Sequence, residues 1–391
     1  MLFPAKRCRR AAALASVALM AWCCNGEQLC AQIAVEPGLA CKHREDLTTD
    51  AHAFFEVLCS ENVSLGRVKS LLDLISDERP AFEDHMPGRF VTIADIAAAE
   101  LRAIVHKEEL DLTDKVDFEK LSQNEAATIR FINTVKELPS SEGQLDIIGK
   151  GCRHDAVRVR VAAMEALKDA NDCVYSQEIH SLLTQGFQDK EPMVAIAAAR
   201  SLASHGFKDD RIENLLLQFL KKEIRVGHAF AGDAVTTRDW RAYLLEVYPR
   251  MGPHTDSAQS VILELSHSDE ISLRLRAKLV LGKVFDRPEQ TRDVVNIAID
   301  TEAKRGMRIE AASALTGVGY DDFTITSLLI EGARDSSGAL AAILLRAAAS
   351  NDSSVMGVLS EFASSDDDIV AAAARRLIRE PQNVQSNSTT R

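Results

Sequence analysis

Five stretches of the chain repeat one arrangement of apolar and polar positions. They are DAVRVRVAAMEAL (155–167), DKEPMVAIAAARSL (189–202), DEISLRLRAKLVL (269–281), KRGMRIEAASAL (304–315) and DDIVAAAARRL (367–377). Each closes on a leucine: Leu167, Leu202, Leu281, Leu315 and Leu377. Four residues earlier stands an alanine (Ala163, Ala198, Ala277, Ala311, Ala373), and four before that an apolar residue (Val159, Val194, Leu273, Met307, Ile369). Spacing of i, i+4, i+8 keeps one stripe on one face of a helix. A central alanine lets a neighbouring helix come close. Between these stretches lie second amphipathic segments, predicted as helices over 143–152, 174–187, 210–222, 256–266, 289–300, 322–333 and 352–363. Asp155, Asp189, Asp269 and Asp335 stand where a helix takes an N-cap or a first-turn carboxylate. Leu167 and Leu202 are 35 residues apart and Leu281 and Leu315 are 34 apart; Leu315 and Leu377 are 62 apart, and the widest gap, of 79, lies between Leu202 and Leu281. That gap holds two units if Thr237–Leu245 is a further inner helix preceded by an insertion.

The N-terminal third is less regular. Residues 51–59 and 64–76 read as helices, 90–105 follows the inner-helix pattern through Ile93, Ala97 and Leu101, and 119–137 reads as one long helix. Pro and Gly mark 77–89 as a loop. The divisions are a signal peptide over 1–31, a leader and first helix over 32–60, degenerate helical repeats over 61–140, repeats proper over 141–379, and a disordered tail over 380–391.

The run D-x-V-R-x-x-x-A-A-x-x-A-L at 155–167 resembles the inner helix of a HEAT repeat, in the shorter HEAT-like form also found in phycobilin lyases. The resemblance spans roughly 60–379. It implies an all-α fold, a right-handed α-solenoid of antiparallel helix pairs forming a HEAT-like superhelix. It implies little about chemistry. Two units depart from the pattern, around Ser336–Leu345 and around Trp240.

Charge and leader narrow the function. Lys6, Arg7, Arg9 and Arg10 precede an apolar run over 11–22, which is too short to span a bilayer. This reads as a secretory signal, so the protein is expected to be exported, to the periplasm or beyond the cell. No later stretch is long and apolar enough for a transmembrane segment. The chain carries −12, and residues 1–31 hold four basic residues and one acidic, so the remainder stands at −15. Such a chain, without a basic block, is a poor binder of phosphate backbones. No nucleic-acid partner is expected, and partners are expected to be basic or neutral.

Chemical signatures are few. Cys41, Cys59, Cys152 and Cys173 remain beyond the leader, without a C-x-x-C pair. Cys41 and Cys59 are free to pair in an oxidising compartment. Cys152 and Cys173 flank a helix of about 14 residues, about 20 Å long, and are not expected to pair. No metal and no cofactor is expected: Cys41, His43, His52 and Cys59 match no zinc spacing. HEAT-containing enzymes that hydroxylate a modified lysine bind two irons through His-Glu dipeptides, and none of the ten histidines here precedes Glu. No G-x-S-x-G turn, phosphate loop or dinucleotide fingerprint occurs.

Two sets of residues remain as candidates for partner binding. Arg160, Arg274 and Arg308 share one repeat position, seven residues before the leucine. They form either a basic row on the concave surface or an internal ladder to the capping aspartates. Trp240 and Tyr243, with Tyr248, follow the insertion at 227–238 and serve either as partner anchors or as core. The expected function is a non-enzymatic scaffold that holds a protein or peptide on its concave surface. The alternative is a HEAT-like enzyme of lyase or isomerase type, with a site near 227–248. Several conserved polar residues converging at that insertion would favour the enzyme, whereas a scaffold would need none.

Overall fold

The computed structural model describes residues 35–379, apart from 61–62, 84–90, 109, 171–174, 207–209, 223–224, 230–234, 252, 321–322 and 352–354. The expected signal peptide, the tail and Cys173 lie outside the described residues. The chain divides into two compact units, 31–207 and 208–391. Residues 1–30 are assigned with the second, but none of them is described.

In the first unit, three short helices, α1 (Leu39–Lys42), α2 (Thr49–His52) and α3 (Phe55–Leu58), lead into α4 (Leu65–Leu74) and α5 (Ile93–Glu108). Then come α6 (Phe118–Leu121), α7 (Glu125–Val135), α8 (Glu142–Cys152), α9 (Val157–Ala166), α10 (Ser176–Phe187) and α11 (Pro192–Ser204). The expected single helix over 119–137 is two helices. Thr128 Oγ1 donates to the carbonyls of Leu121 and Asn124, and the Asn124 side chain caps Ala127, so a new helix starts there.

The second unit holds α12 (Asp210–Leu220), a hairpin of β1 (Arg225–Ala229) and β2 (Val235–Asp239), then α13 (Arg241–Val247) and α14 (Asp256–Leu265). It continues through α15 (Ile271–Val284), α16 (Pro288–Ile299), α17 (Arg305–Val318), α18 (Phe323–Arg334), α19 (Gly338–Asn351), α20 (Met356–Phe362) and α21 (Asp368–Arg379). The expected helix over Thr237–Leu245 therefore starts later, at Arg241, because residues through Asp239 pair with β1. The blurred stretch from Ser336 is an ordinary helix, α19.

Each unit is built of two rows. Inner helices touch the next inner helix: α7, α9 and α11 in one unit, α13, α15, α17, α19 and α21 in the other. Outer helices pack on their own inner partner and on the next outer helix, as α16 does on α17 and α18. Sequence decides the row. Outer α10 buries one stripe, Ile179, Leu183, Gly186 and Phe187. Inner α11 has neighbours on more sides and buries Val194–Ala199 without a break. Small residues make this possible: a side chain on Gly186 would meet Ala198 and the end of Met164. The stripe residues Ala163, Ala198, Ala277, Ala311, Leu167, Leu202, Leu281 and Leu315 are all wholly buried. The fold is an all-α solenoid with one added hairpin.

The aspartates of the turns play a different part from the expected N-cap. The N-caps of α9, α11 and α15 are Ala156, Glu191 and Glu270, none of which makes a side-chain cap. Asp189 lies two residues earlier and accepts from the Glu191 amide. Side-chain caps begin other helices, at Asn124 before α7, Ser141 before α8 and Thr255 before α14.

Candidate functional site

The three repeat-position arginines turn into the inter-helix turns. Arg160 donates through Nε and Nη2 to the Asp189 carboxylate, at 2.9 and 3.2 Å, and through Nη1 to the carbonyls of His154 and Asp155. Arg274 reaches the carbonyls of Ser268 and Asp269 in its own turn. Arg308 donates to the Ala298 carbonyl and to Ser336 Oγ one repeat on. Of the three, Arg160 alone bonds an aspartate of the next repeat; Arg308 bonds Ser336, the neighbour of Asp335. Arg160 and Arg308 are buried, so they do not form an exposed basic row. Trp240 is 7 % exposed and lies against Tyr243 at 5.2 Å between ring centroids. A side chain that buried is core, and it offers a partner little surface.

The structure gathers charge at a place the sequence did not single out. Arg276 lies on α15 between Leu275 and Ala277, with its side chain 4 % exposed. Its Nε donates to Glu246 of α13 at 2.7 Å, and its Nη1 to Glu310 of α17 at 2.7 Å. Nη1 also reaches Ser272 Oγ. One guanidinium thus ties three successive inner helices. Burial works against the Arg276 charge, but the fields of Glu246 and Glu310 and their hydrogen bonds outweigh it and raise its pKa. Gly317 makes room for the arrangement: a side chain there would stand 2.7 Å from the Glu246 carboxyl carbon. Helices α13 and α17 accordingly touch each other, although α15 lies between them in the row.

Further charged groups join this knot. Asp239, at the end of β2, binds Arg241 through the guanidinium Nε at 2.8 Å and accepts from its amide at 3.0 Å. Glu270 feels Asp239, Arg241, Glu310 and Arg276 together. Its pKa is raised, first by burial and then by the Asp239 charge, with Arg241 opposing. Nearby in the chain, Tyr248 is fully buried and donates to Glu213 Oε1 at 2.7 Å, and burial together with that bond raises its pKa. Two groups, Asp239 with Arg241 and Arg276 with Glu246 and Glu310, thus act on Glu270 through their charges. Three of these six residues come from the C-terminal edge of the 227–248 region. Their four carboxyls and two guanidinium groups leave an excess of negative charge when all are ionised. A carboxyl biased towards its protonated form, beside fixed cations, can give or take a proton.

In the first unit the notable concavity is a groove of about 760 Å³ between two turns, lined by residues from Cys152 to Arg160 and from Gln185 to Glu191. The Arg160–Asp189 pair lies in its wall. His154 is held there: its Nδ1 accepts from the Ala156 amide and its Nε2 lies 3.1 Å from the Ser122 carbonyl. Cys152 is a free thiol, and burial pushes its pKa up to about 12, so it is a poor nucleophile. Among the described residues no three His, Cys, Asp or Glu side chains gather as a metal site, and no helix is long and apolar enough to cross a membrane. Cys41 and Cys59 are joined by a disulfide, Cα–Cα 5.2 Å.

No protein-family model matches the chain, and no curated protein matches it. Among solved structures, the complex of CpcE and CpcF of phycocyanin lyase from Nostoc sp. PCC7120 is similar at 13 % identity. The match covers 76 % of this chain and 97 % of that one, with a TM-score of 0.43. The architecture is that of a HEAT-like helical-repeat protein. An engineered protein is also similar, at 15 % identity over 87 % of this chain and all of that one, with a TM-score of 0.36. At such identities the likeness concerns the fold. It runs against the expectation of a non-enzymatic protein, since the similar complex is named as one of a lyase, and it assigns no activity to this chain.

Proposed function

We propose that the working site of this HEAT-like protein is the charged cluster of Asp239, Arg241, Glu246, Glu270, Arg276 and Glu310, and that it serves a reaction of lyase or isomerase type. The observation that carries this reading is convergence: charged residues from the edge of the insertion meet those of two further repeats around a buried guanidinium. Lyases and isomerases commonly move a proton on and off carbon or oxygen. A glutamate with a raised pKa suits that work, and we assign it to Glu270. The excess of carboxyls favours a substrate with a cationic or neutral polar group at this point. The test incubates an extract of the host with the protein and compares its small molecules by mass spectrometry. A species consumed by the wild type and spared by Glu270→Gln supports the reading. Identical profiles for the two proteins reject it.

A second reading, a protein or peptide segment held by the repeats, is supported by the groove between the turns of the first unit. Its rim carries both signs, Arg153 and Lys190 against Asp155 and Glu191, which suits a polar segment of mixed charge. Cross-linking from Lys190 in the host, read by mass spectrometry, tests it: no partner peptide at that site rejects it. We also propose that the protein is exported. The Cys41–Cys59 bond supports this, since such bonds persist in oxidising compartments. N-terminal sequencing should begin between about Glu27 and Val35; an intact Met1 overturns the export reading.

A further inference from the structure

We propose that residues 35–60 are a redox-locked cap on the first repeat, closed by the Cys41–Cys59 disulfide and released when that bond is reduced. The segment consists of short pieces. Helices α1, α2 and α3 have four residues each, too few to persist by themselves in water. Yet Ala40, Ala51 and Leu58 are wholly buried, so the pieces are held by what they cover, and α3 lies on both α4 and α5.

Two clasps join the same two places. The disulfide links Cys41, at the start of the segment, to Cys59, at its end. Beneath it lies an ionic clasp on Glu100 of α5. One carboxylate oxygen accepts from the Gly38 amide at 2.6 Å, and the other from Arg67 Nη2 at 2.9 Å. Arg67 in turn donates through Nε to the Val57 carbonyl at 2.8 Å. The chain of bonds Gly38–Glu100–Arg67–Val57 therefore spans the points that the disulfide spans. The Arg67 and Glu100 side chains are only 7 % and 10 % exposed. An ion pair so dry is kept only while it is covered, since each ion gains several contacts from water once reached. A second attachment, from Thr48 to Pro80 and Ala81, holds the middle of the segment.

Cys41 is exposed and Cys59 half-buried, so Cys41 is the more open end of the bond. A thiolate of a dithiol reductant attacks Cys41 Sγ, and Cys59 leaves as a thiolate that takes a proton. The second thiol of the reductant then displaces Cys41, which also takes a proton. The cap gains two electrons and two protons, and the reductant becomes a disulfide. Once the covalent clasp is open, only the ionic one ties the two ends. Terminal segments with few contacts open far more readily than the core. Opening exposes the faces of α4 and α5 beneath α3.

Hydrogen exchange of the full-length exported protein, with and without dithiothreitol, tests the cap, and intact mass shows the bond formed and then reduced. Amides of α1–α3 should exchange roughly a hundredfold faster after reduction, from the closure entropy of a loop this size. Those of α8–α11 should not change. Cys41→Ser with Cys59→Ser should match the reduced protein without reductant. Glu100→Gln in the oxidised protein should give a smaller, local increase at Gly38 and Val57. Three results would overturn the proposal: no bond in the exported protein, equal exchange in both redox states, or loss of protection throughout the first unit. The last would show that the segment is part of one cooperative core.

Discussion

Arg160 and Arg276 are both buried arginines of inner helices, yet they do different things. Arg160 stands in the first turn of α9, where its partners are one carboxylate and two turn carbonyls. All three partner residues line the groove between the two turns. Arg276 stands in mid-row in the second unit, between two glutamates that the helices hold in place. Removing it leaves two carboxylates facing one another. The first is a staple between repeats. The second is the centre of a charged site that the surrounding helices are shaped to admit, as the absence of a side chain at Gly317 indicates. Burial alone therefore says little about what an arginine is for; the fate of its partners says more.

A carboxylate placed in an inner row without any arginine sets the upper limit of this scale. Ala198→Asp puts one against Gly186 and Met164, and should cost about 4 kcal/mol or abolish folding, as an unpaired buried charge does. Urea denaturation followed by circular dichroism measures it, and a loss below about 1 kcal/mol would mean the register of α11 is wrong. Arg276→Met comes next. It keeps most of the packing but strands Glu246 and Glu310, for an expected loss of about 3 kcal/mol. If Glu246→Gln and Glu310→Gln added to that variant restore stability, the stranded charges are the cause; no recovery would assign the loss to packing. Arg160→Met should cost only about 1–2 kcal/mol, the range for hydrogen bonds lost to solvent-reachable partners. Equal losses for Arg160 and Arg276 would erase the distinction between staple and site.

Much of the architecture was legible because it depends on periodicity. The outer segment expected at 143–152 is Glu142–Cys152, and that at 210–222 is Asp210–Leu220. The alanine and leucine positions of four inner helices are wholly buried. The site was not legible, for a physical reason. Arg276 sits in ISLRLRAKLVL, where it looks like one polar interruption of an apolar run. Its partners lie 30 and 34 residues away in the chain. Those offsets are close to one repeat in either direction, and a search for opposite charges at the repeat distance would have found them. Arg274, two residues earlier, drew notice only because it shares a position with Arg160. The hairpin was missed because Val235–Asp239 has little apolar alternation, and its pairing with Arg225–Ala229 decides its form.

The smallest expected effect bears most directly on chemistry. Glu270 has a raised pKa in the folded protein, so folding favours its protonated form. Below the ordinary glutamate pKa, about 4.3, the group is protonated in both states and imposes no penalty. As pH rises past that value, the unfolded chain loses the proton first, and the folded state is left binding more protons than the unfolded one. Its contribution to stability therefore falls with rising pH, and levels off once pH exceeds the raised value. Gln carries no charge at any of these pH values. Glu270→Gln should therefore raise Tm at pH 7 by about 1–3 °C, a shift typical of a change below 1 kcal/mol. The gain should vanish near pH 4. Arg276→Met makes the comparison sharper, because losing that cation removes one of the two influences that oppose the rise. In its background the gain from Glu270→Gln at pH 7 should grow. A gain independent of pH, or one unchanged in the Arg276 variant, would separate Glu270 from the cluster and overturn its proposed role as proton carrier.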